Sequence, residues 1–306
     1  MGTVFNIKIV KDDPETDFKF LEAEIIEILD EVNRQMSTYR DDSEITGFNN
    51  FNSTEWYSIS KDFVYVVEQS LEISRLSEGA FDITIGPVVN VWGFGPEIKE
   101  LVIPPQEELE KAKSKTGYHL ISINLDPPKI KKSIPDVYID LSAIAKGFGV
   151  DKVCEYLDTQ NLINYLVEIG GEVRVKGNNH NGEPWQIGVE KPDETGSLEN
   201  VISLTDKSLA TSGDYHNYFE IDGKRYSHTI DPRTAMPISH TLASVSVLHE
   251  SCTLADGFAT AINVLGPEAG FEFASNQNLP VYMIVREDGR FVEKSTPSFN
   301  KLLKNK

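Results

Sequence analysis

Asp256 and Thr260 stand four residues apart in the run Thr253-Leu-Ala-Asp-Gly-Phe-Ala-Thr-Ala-Ile-Asn-Val-Leu265. The apolar pattern, closed by Gly266-Pro267, predicts a helix, and residues i and i+4 of a helix share one face. A carboxylate beside a hydroxyl is a pair of hard oxygen donors. It suits Mg2+ better than Zn2+, and Mg2+ keeps waters and fills its shell from substrate phosphate, so a sparse protein ligand set is expected. A second constellation is Ile139-Asp-Leu-Ser-Ala-Ile-Ala-Lys-Gly-Phe-Gly-Val-Asp151. It reads as a strand end, Val137 to Ile139, running into a helix from about Ser142 to about Leu157, with Asp140 or Ser142 as N-cap. A helix N-terminus carries partial positive charge and free N–H groups, which makes it an anion site. Lys146, one turn in, would add a full charge, and Gly147 and Gly149 would let another group approach closely. The same residues also fit an ordinary capped helix packed through its glycines.

His228 lies in Tyr226-Ser-His-Thr-Ile-Asp-Pro-Arg-Thr-Ala-Met-Pro237, a turn dense in polar groups that includes Asp231 and Arg233. It is either a general base near neutral pH or a structural histidine. Tyr39, in the polar stretch Met36 to Ile45, either covers a helix end or offers its ring to a planar ligand. Asp82, a lone acid in the mostly apolar run from Gly79 to Gly95, is either a cap or a ligand carboxylate.

The elements that must position these residues follow from periodicity. An N-terminal alternating strand opens the chain. Phe18, Leu21, Ile25, Ile28, Leu29 and Val32 fall at helical spacing, as do Phe63, Val66, Val67, Leu71 and Ile73 in a helix from Ser60 that Gly79 stops. Residues 104–117 read as a charged, solvated helix, and 118–139 as three short strands. Strands follow near Tyr165–Ile169, Val173–Lys176, Gln186–Glu190, Val201–Leu204 and Val245–His249. Leu209 to Asp214 reads as a loop of small residues. Asp222-Gly223 and Asp288-Gly289 mark hairpins, the second completing the chain after a short helix to Phe273.

The 306 residues allow one large domain or two intimate ones, and 40% hydrophobic content implies a sizeable core. A formal net charge of −19 argues against a nucleic-acid partner. Any anionic ligand then needs a metal ion or local helix ends against the global field. Cys154 and Cys252 read as buried free thiols. No run is long enough to span a membrane, and no basic-then-apolar leader opens the chain. The chain lacks G-x-G-x-x-G, Walker A and G-x-S-x-G motifs, so a dinucleotide-binding Rossmann domain is not expected.

Taken together and in order, the segments resemble the ApbE-type flavin transferases. The resemblance runs through Met1-Gly-Thr3, Met36-Ser-Thr-Tyr39 with Ser43-Glu44-Ile45, Gly79-Ala-Phe-Asp82, and Ile139-Asp-Leu-Ser142 with Ala145-Lys-Gly147. It continues through Glu168-Ile-Gly-Gly171, Thr211-Ser-Gly213, Tyr226 to Thr234, and Leu254-Ala-Asp256 with Thr260. It implies an α+β fold of antiparallel sheets and packed helices, as a single domain over 1–306 or two intimate α+β subdomains. It also implies transfer of FMN from FAD, the substrate, to a protein Thr or Ser hydroxyl, with Mg2+ and release of AMP. By the same resemblance Met1, Tyr39, Ala80, Phe81, Asp82, Asp140, Lys146 and Ile230 would contact FAD. The Ala143 carbonyl, Asp256 and Thr260 would hold Mg2+, and His228 would be the base.

Two residues depart from the pattern: Ala259 leaves the metal shell with more water, and Ala235 replaces a glycine after Asp-Pro-Arg-Thr. Met1-Gly-Thr is normally internal, so an export leader and lipid anchor are expected to precede it. The native protein is then expected in the periplasm, tethered to the membrane, serving an acceptor subunit of a membrane redox pump. The alternatives in the same site are an Mg2+-dependent FAD pyrophosphatase and a non-enzymatic flavin-binding protein.

Overall fold

The computed structural model describes residues 2–10, 17–96, 102–192, 198–213, 218–221 and 224–304. Met1 and the Asp222-Gly223 turn lie outside the described residues. The helices are α1 (Phe18–Met36), α2 (Glu44–Asn50), α3 (Lys61–Leu76), α4 (Gly86–Val91), α5 (Gln106–Lys113), α6 (Ala145–Thr159), α7 (Cys252–Leu265), α8 (Ala269–Asn276) and α9 (Pro297–Lys304). The chain divides into two compact units. One comprises Met1–Val32, Ile144–Tyr215 and Thr241–Lys306, the other Asn33–Ala143 and His216–His240.

The first unit is built on a seven-stranded sheet in which every neighbouring pair is antiparallel. Its order is Phe5–Ile9, Tyr165–Ile169, Glu172–Lys176, Lys207–Gly213, Leu242–His249, Val281–Glu287 and Arg290–Ser295. Strand side chains alternate between faces, and here both faces are covered. Tyr165, Val167 and Ile169 pack with Ile25 and Leu29 of α1 and with Val150, Val153, Cys154 and Leu157 of α6. Leu166, Val173 and Val175 point the other way, into a cluster with Trp185, Ile187, Ile202 and Phe299. The second unit carries α2 to α5 and a three-stranded sheet of Tyr57–Ser58, Pro128–Lys132 and Ile121–Leu125. Val88, Trp92, Leu109, Ala112, Tyr226, Ile230 and Ala235 form a core cluster within it.

The structure corrects several sequence expectations. Val137 to Ile139 is not a strand, so residues 118–139 hold two strands rather than three. Its Val137 N–H turns back to the Ile134 carbonyl at 3.3 Å, and side chains take other backbone groups. The Asn49 amide bonds both the N–H and the carbonyl of Ile139 (2.8 and 2.9 Å), and the Lys132 ammonium reaches the Val137 carbonyl at 3.2 Å. The following helix begins at Ala145 rather than Ser142, with Ile144 at the N-cap and no side-chain cap bond. Asp140 closes the preceding turn by accepting the Ser142 N–H at 2.8 Å. Leu209 to Gly213 is not a loop but most of a strand, in register with Leu242–His249. Its small residues allow burial on both faces: Leu209 and Ala210 are almost fully enclosed. Three helices among the described residues lie outside the sequence expectations: α2, α4 and α9. Ser43 caps α2 through the Thr46 N–H, and α9 follows the last hairpin.

Candidate active site

Two helices of the first unit bring its site residues together. Eleven of the fourteen residues of α7 are buried, as expected for a helix that is apolar all round. Its N-terminus is held by the Asp151 carboxylate of α6. That carboxylate accepts the Cys252 and Thr253 N–H groups (3.0 and 2.9 Å) and the Ser251 and Thr253 hydroxyls (2.8 and 2.7 Å), while Arg174 pairs with it at 2.6 Å. Gly147 sets how closely the helices approach. A Cβ there would lie 2.8 Å from Asp256 Cβ and closer still to the Cys252 carbonyl. Its missing side chain therefore admits α7, not a ligand.

The N-terminus of α6 does bind an anion, and that anion is Asp256. The Gly147 N–H, third in the helix, donates to Asp256 Oδ2 at 2.9 Å. Asp256 is 2% exposed. Its other oxygen, Oδ1, is touched only loosely, by Lys146 Nζ at 3.5 Å. Burial drives the Asp256 pKa upward against the pull of Lys146 and the Gly147 N–H. One turn further along α7, the Thr260 hydroxyl lies 3.4 Å from that of Ser212 in the Lys207–Gly213 strand.

Glu172 is the site residue that the sequence did not disclose. It opens the Glu172–Lys176 strand, is 2% exposed, and places Oε1 at 3.3 Å from Lys146 Nζ. Among the described residues its Oε2 has no hydrogen-bond partner. Burial first, and the Asp256 charge second, push its pKa up to about 8 although Lys146 opposes the rise. Burial alone would lower Lys146, but Asp256 and Glu172 together hold the ammonium above the usual lysine range. The available signal was period two: Val173 and Val175 face the core, so Glu172, Arg174 and Lys176 share the opposite face, towards α6. There they meet Lys146, Asp151 and Asp158 in turn.

The second unit holds the remaining predicted residues. Gly79, at φ 80°, ends the α3 region and leads into Ala80, Phe81 and Asp82, all buried. Both Asp82 oxygens are engaged: Oδ1 by the Thr84 N–H and hydroxyl (2.8 and 2.6 Å), Oδ2 by the Tyr118 N–H at 2.7 Å. Asp82 is thus a cap that ties two turns together, and burial raises its pKa. The Asp140 N–H donates to the Ile83 carbonyl at 2.7 Å, which sets the Asp140 turn beside this segment. Tyr39 is 70% exposed. Burial first and the Asp140 charge second raise the phenols of both Tyr39 and Tyr138. His228 follows the Lys224–Ser227 strand with its ring edge-on to Phe94, centroids 6.4 Å apart. Its sequence neighbours Asp231 and Arg233 form a two-pronged ion pair with each other, both contacts 2.9 Å. Ile230 is buried beside Trp92 and Ala235, and Ala143 lies in the turn before α6.

The profile of the ApbE family matches residues 1–283. The chain belongs to the ApbE family. Among curated relatives, a protein of Vibrio cholerae named FAD:protein FMN transferase is 47% identical over 304 residues, covering 99% of this chain and 90% of that one. One of Haemophilus influenzae with the same name is 46% identical, covering 100% and 90%. Among solved structures, the flavin transferase ApbE from Vibrio cholerae superposes with a TM-score of 0.92 at 46% identity, covering 98% of this chain and 96% of that one. The apo form of the Pseudomonas stutzeri flavinyl transferase ApbE gives 0.91 at 37% identity, covering 99% and 94%. These likenesses bear out the α+β fold without a Rossmann domain.

The first-unit residues of this ApbE chain fit a magnesium ion by their donor chemistry. Asp256 has one oxygen fixed and one loosely held, and Thr260 adds a hard hydroxyl oxygen. Among the described residues no three His, Cys, Asp or Glu side chains gather into a metal cage.

Proposed function

We infer that this chain is an FAD:protein FMN transferase. It moves the FMN half of FAD onto a Ser or Thr hydroxyl of a protein. The observation that carries the reading is 47% identity over 99% of this chain to a protein of that name.

The acceptor oxygen attacks the FMN-side phosphorus in line, the bond to the bridging oxygen breaks, and AMP leaves. His228 takes the proton from the acceptor hydroxyl. Tyr39, with Ala80, Phe81, Asp140 and Ile230, binds the flavin nucleotide on the segment that Asp82 shapes as a cap, and Lys146 steadies phosphate oxygens. Asp256, Thr260 and the Ala143 carbonyl would hold Mg2+, which when bound supplies charge neutralisation for the leaving phosphate. We place the reaction in the periplasm, at a lipid-anchored enzyme serving a threonine of a membrane redox-pump subunit. Family membership is what supports that placement. No helix among the described residues is long and apolar enough to cross a membrane.

The test is incubation with FAD, Mg2+ and a candidate acceptor domain, with both products weighed by mass spectrometry. The expected result is an acceptor heavier by one FMN unit, with AMP released, and loss of both with Asp256→Ala. Free FMN and AMP beside an unmodified acceptor would mark a pyrophosphatase instead.

A further inference from the structure

We propose that Glu172 is a second seat for the Lys146 ammonium, which lets Asp256 release that lysine when a divalent cation arrives. This rests on reading Asp256 as a metal ligand. Lys146 Nζ lies 3.3 Å from Glu172 and 3.5 Å from Asp256. Both distances exceed the roughly 2.7–2.9 Å of a committed ammonium–carboxylate hydrogen bond. The lysine is shared between two acids and fixed to neither. The two acids differ in what else holds them. Asp256 Oδ2 already accepts the Gly147 N–H, which leaves Oδ1 as the more open oxygen for a cation, and Lys146 sits against it. Glu172 has a whole oxygen, Oε2, buried and unpartnered among the described residues. Glu172 can therefore take the ammonium completely, while Asp256 can serve a metal fully only once the ammonium has moved.

Like-charge repulsion supports the same direction. Without Glu172 the ammonium would stay on Asp256, and an incoming cation would meet a like charge in its own coordination site. Glu172 is thus a positioning residue: it acts on the metal through Lys146 and is not itself a ligand.

The test is Mn2+ binding to the full chain, read from loss of the free-ion paramagnetic resonance signal, with circular dichroism confirming the fold of each variant. Glu172→Gln is expected to weaken Mn2+ about tenfold or more, and Glu172→Asp to recover most of that. In a Lys146→Met background, Glu172→Gln is expected to change Mn2+ affinity by less than about twofold, because the residue acts through the lysine. Unchanged affinity in Glu172→Gln overturns the proposal. So does an equal loss in the Lys146→Met background, which would make Glu172 a direct ligand. Mn2+ binding unaffected by Asp256→Ala would remove the metal reading itself, and this inference with it.

Discussion

Ala235 holds φ at 61°, in the left-handed region that favours glycine, and its carbonyl accepts the Trp92 indole N–H at 3.0 Å. The turn thus holds a glycine-like backbone conformation with an alanine at its left-handed position. Left-handed backbone costs a residue with a Cβ about 1–2 kcal/mol, whereas burying one methyl gains about 0.8 kcal/mol. Ala235→Gly is therefore expected to leave stability unchanged or raise it by up to about 1 kcal/mol in urea unfolding. The ordinary Ala-to-Gly loss would contradict this.

His249 supplies a pH dependence. Its Nδ1 accepts the Ser251 N–H at 3.0 Å, which a ring protonated at Nδ1 cannot do. Burial, aided by Lys207 and opposed by Glu250 and Asp151, holds its pKa below the usual histidine range. A lowered histidine contributes stability above the unfolded pKa of about 6.5 and loses it as pH falls through the folded value. Wild type should lose stability more steeply than His249→Gln below about pH 6.5, measured as urea midpoints; parallel curves would refute it. The shared helix of Asp256 and Thr260 was legible at this scale from spacing and residue type, and α7 bears it out, whereas the roles of Asp256, Thr260 and Lys146 came from the family resemblance. Glu172 was not, because its partner is set by which strand face meets which helix.

The Glu172–Lys176 strand and α6 form a ladder of opposite charges: Glu172 with Lys146, Arg174 with Asp151, Lys176 with Asp158. Alternate strand residues advance about 6.6 Å, and five helix residues about 7.5 Å, so the two elements can keep step over the first rungs. The middle rung also fixes the start of α7 through Asp151, and hence the placement of Asp256. Asp151→Ala removes the acceptor of two buried N–H groups and the partner of Arg174. A loss of about 3 kcal/mol is expected in chemical denaturation; a change below about 1 kcal/mol would show that Ser251 alone suffices as a cap.

Helices with a strong apolar stripe, such as α1 and α3, were readable from sequence. The Val137–Ile139 segment was misread because Ile139 is paired by the Asn49 side chain, 90 residues away in the chain. The Lys207–Gly213 strand was misread because residues small enough for burial on both faces look like a loop.

Across the molecule, a formal charge of −19 opposes the approach of a pyrophosphate. Screening shortens that repulsion from about 30 Å at about 0.01 M salt to about 8 Å at about 0.15 M. With Mg2+ fixed, KM for FAD should fall about two- to threefold over that range; a rise would mean that local attraction at Lys146 governs encounter. Two-unit organisation itself was not legible in detail, since each unit is assembled from separated stretches of chain.

The outer strand of the large sheet has its own consequence. Asn6 and Glu168, bonded across the first strand pair, are 162 residues apart, and Lys146 precedes Asp256 by 110. Closing such loops costs little more than closing shorter ones, but it delays folding. During translation the opening strand must wait for its neighbour, and the lysine end of the site emerges from the ribosome long before its carboxylate. A half-synthesised copy therefore lacks the Lys146–Asp256 contact altogether.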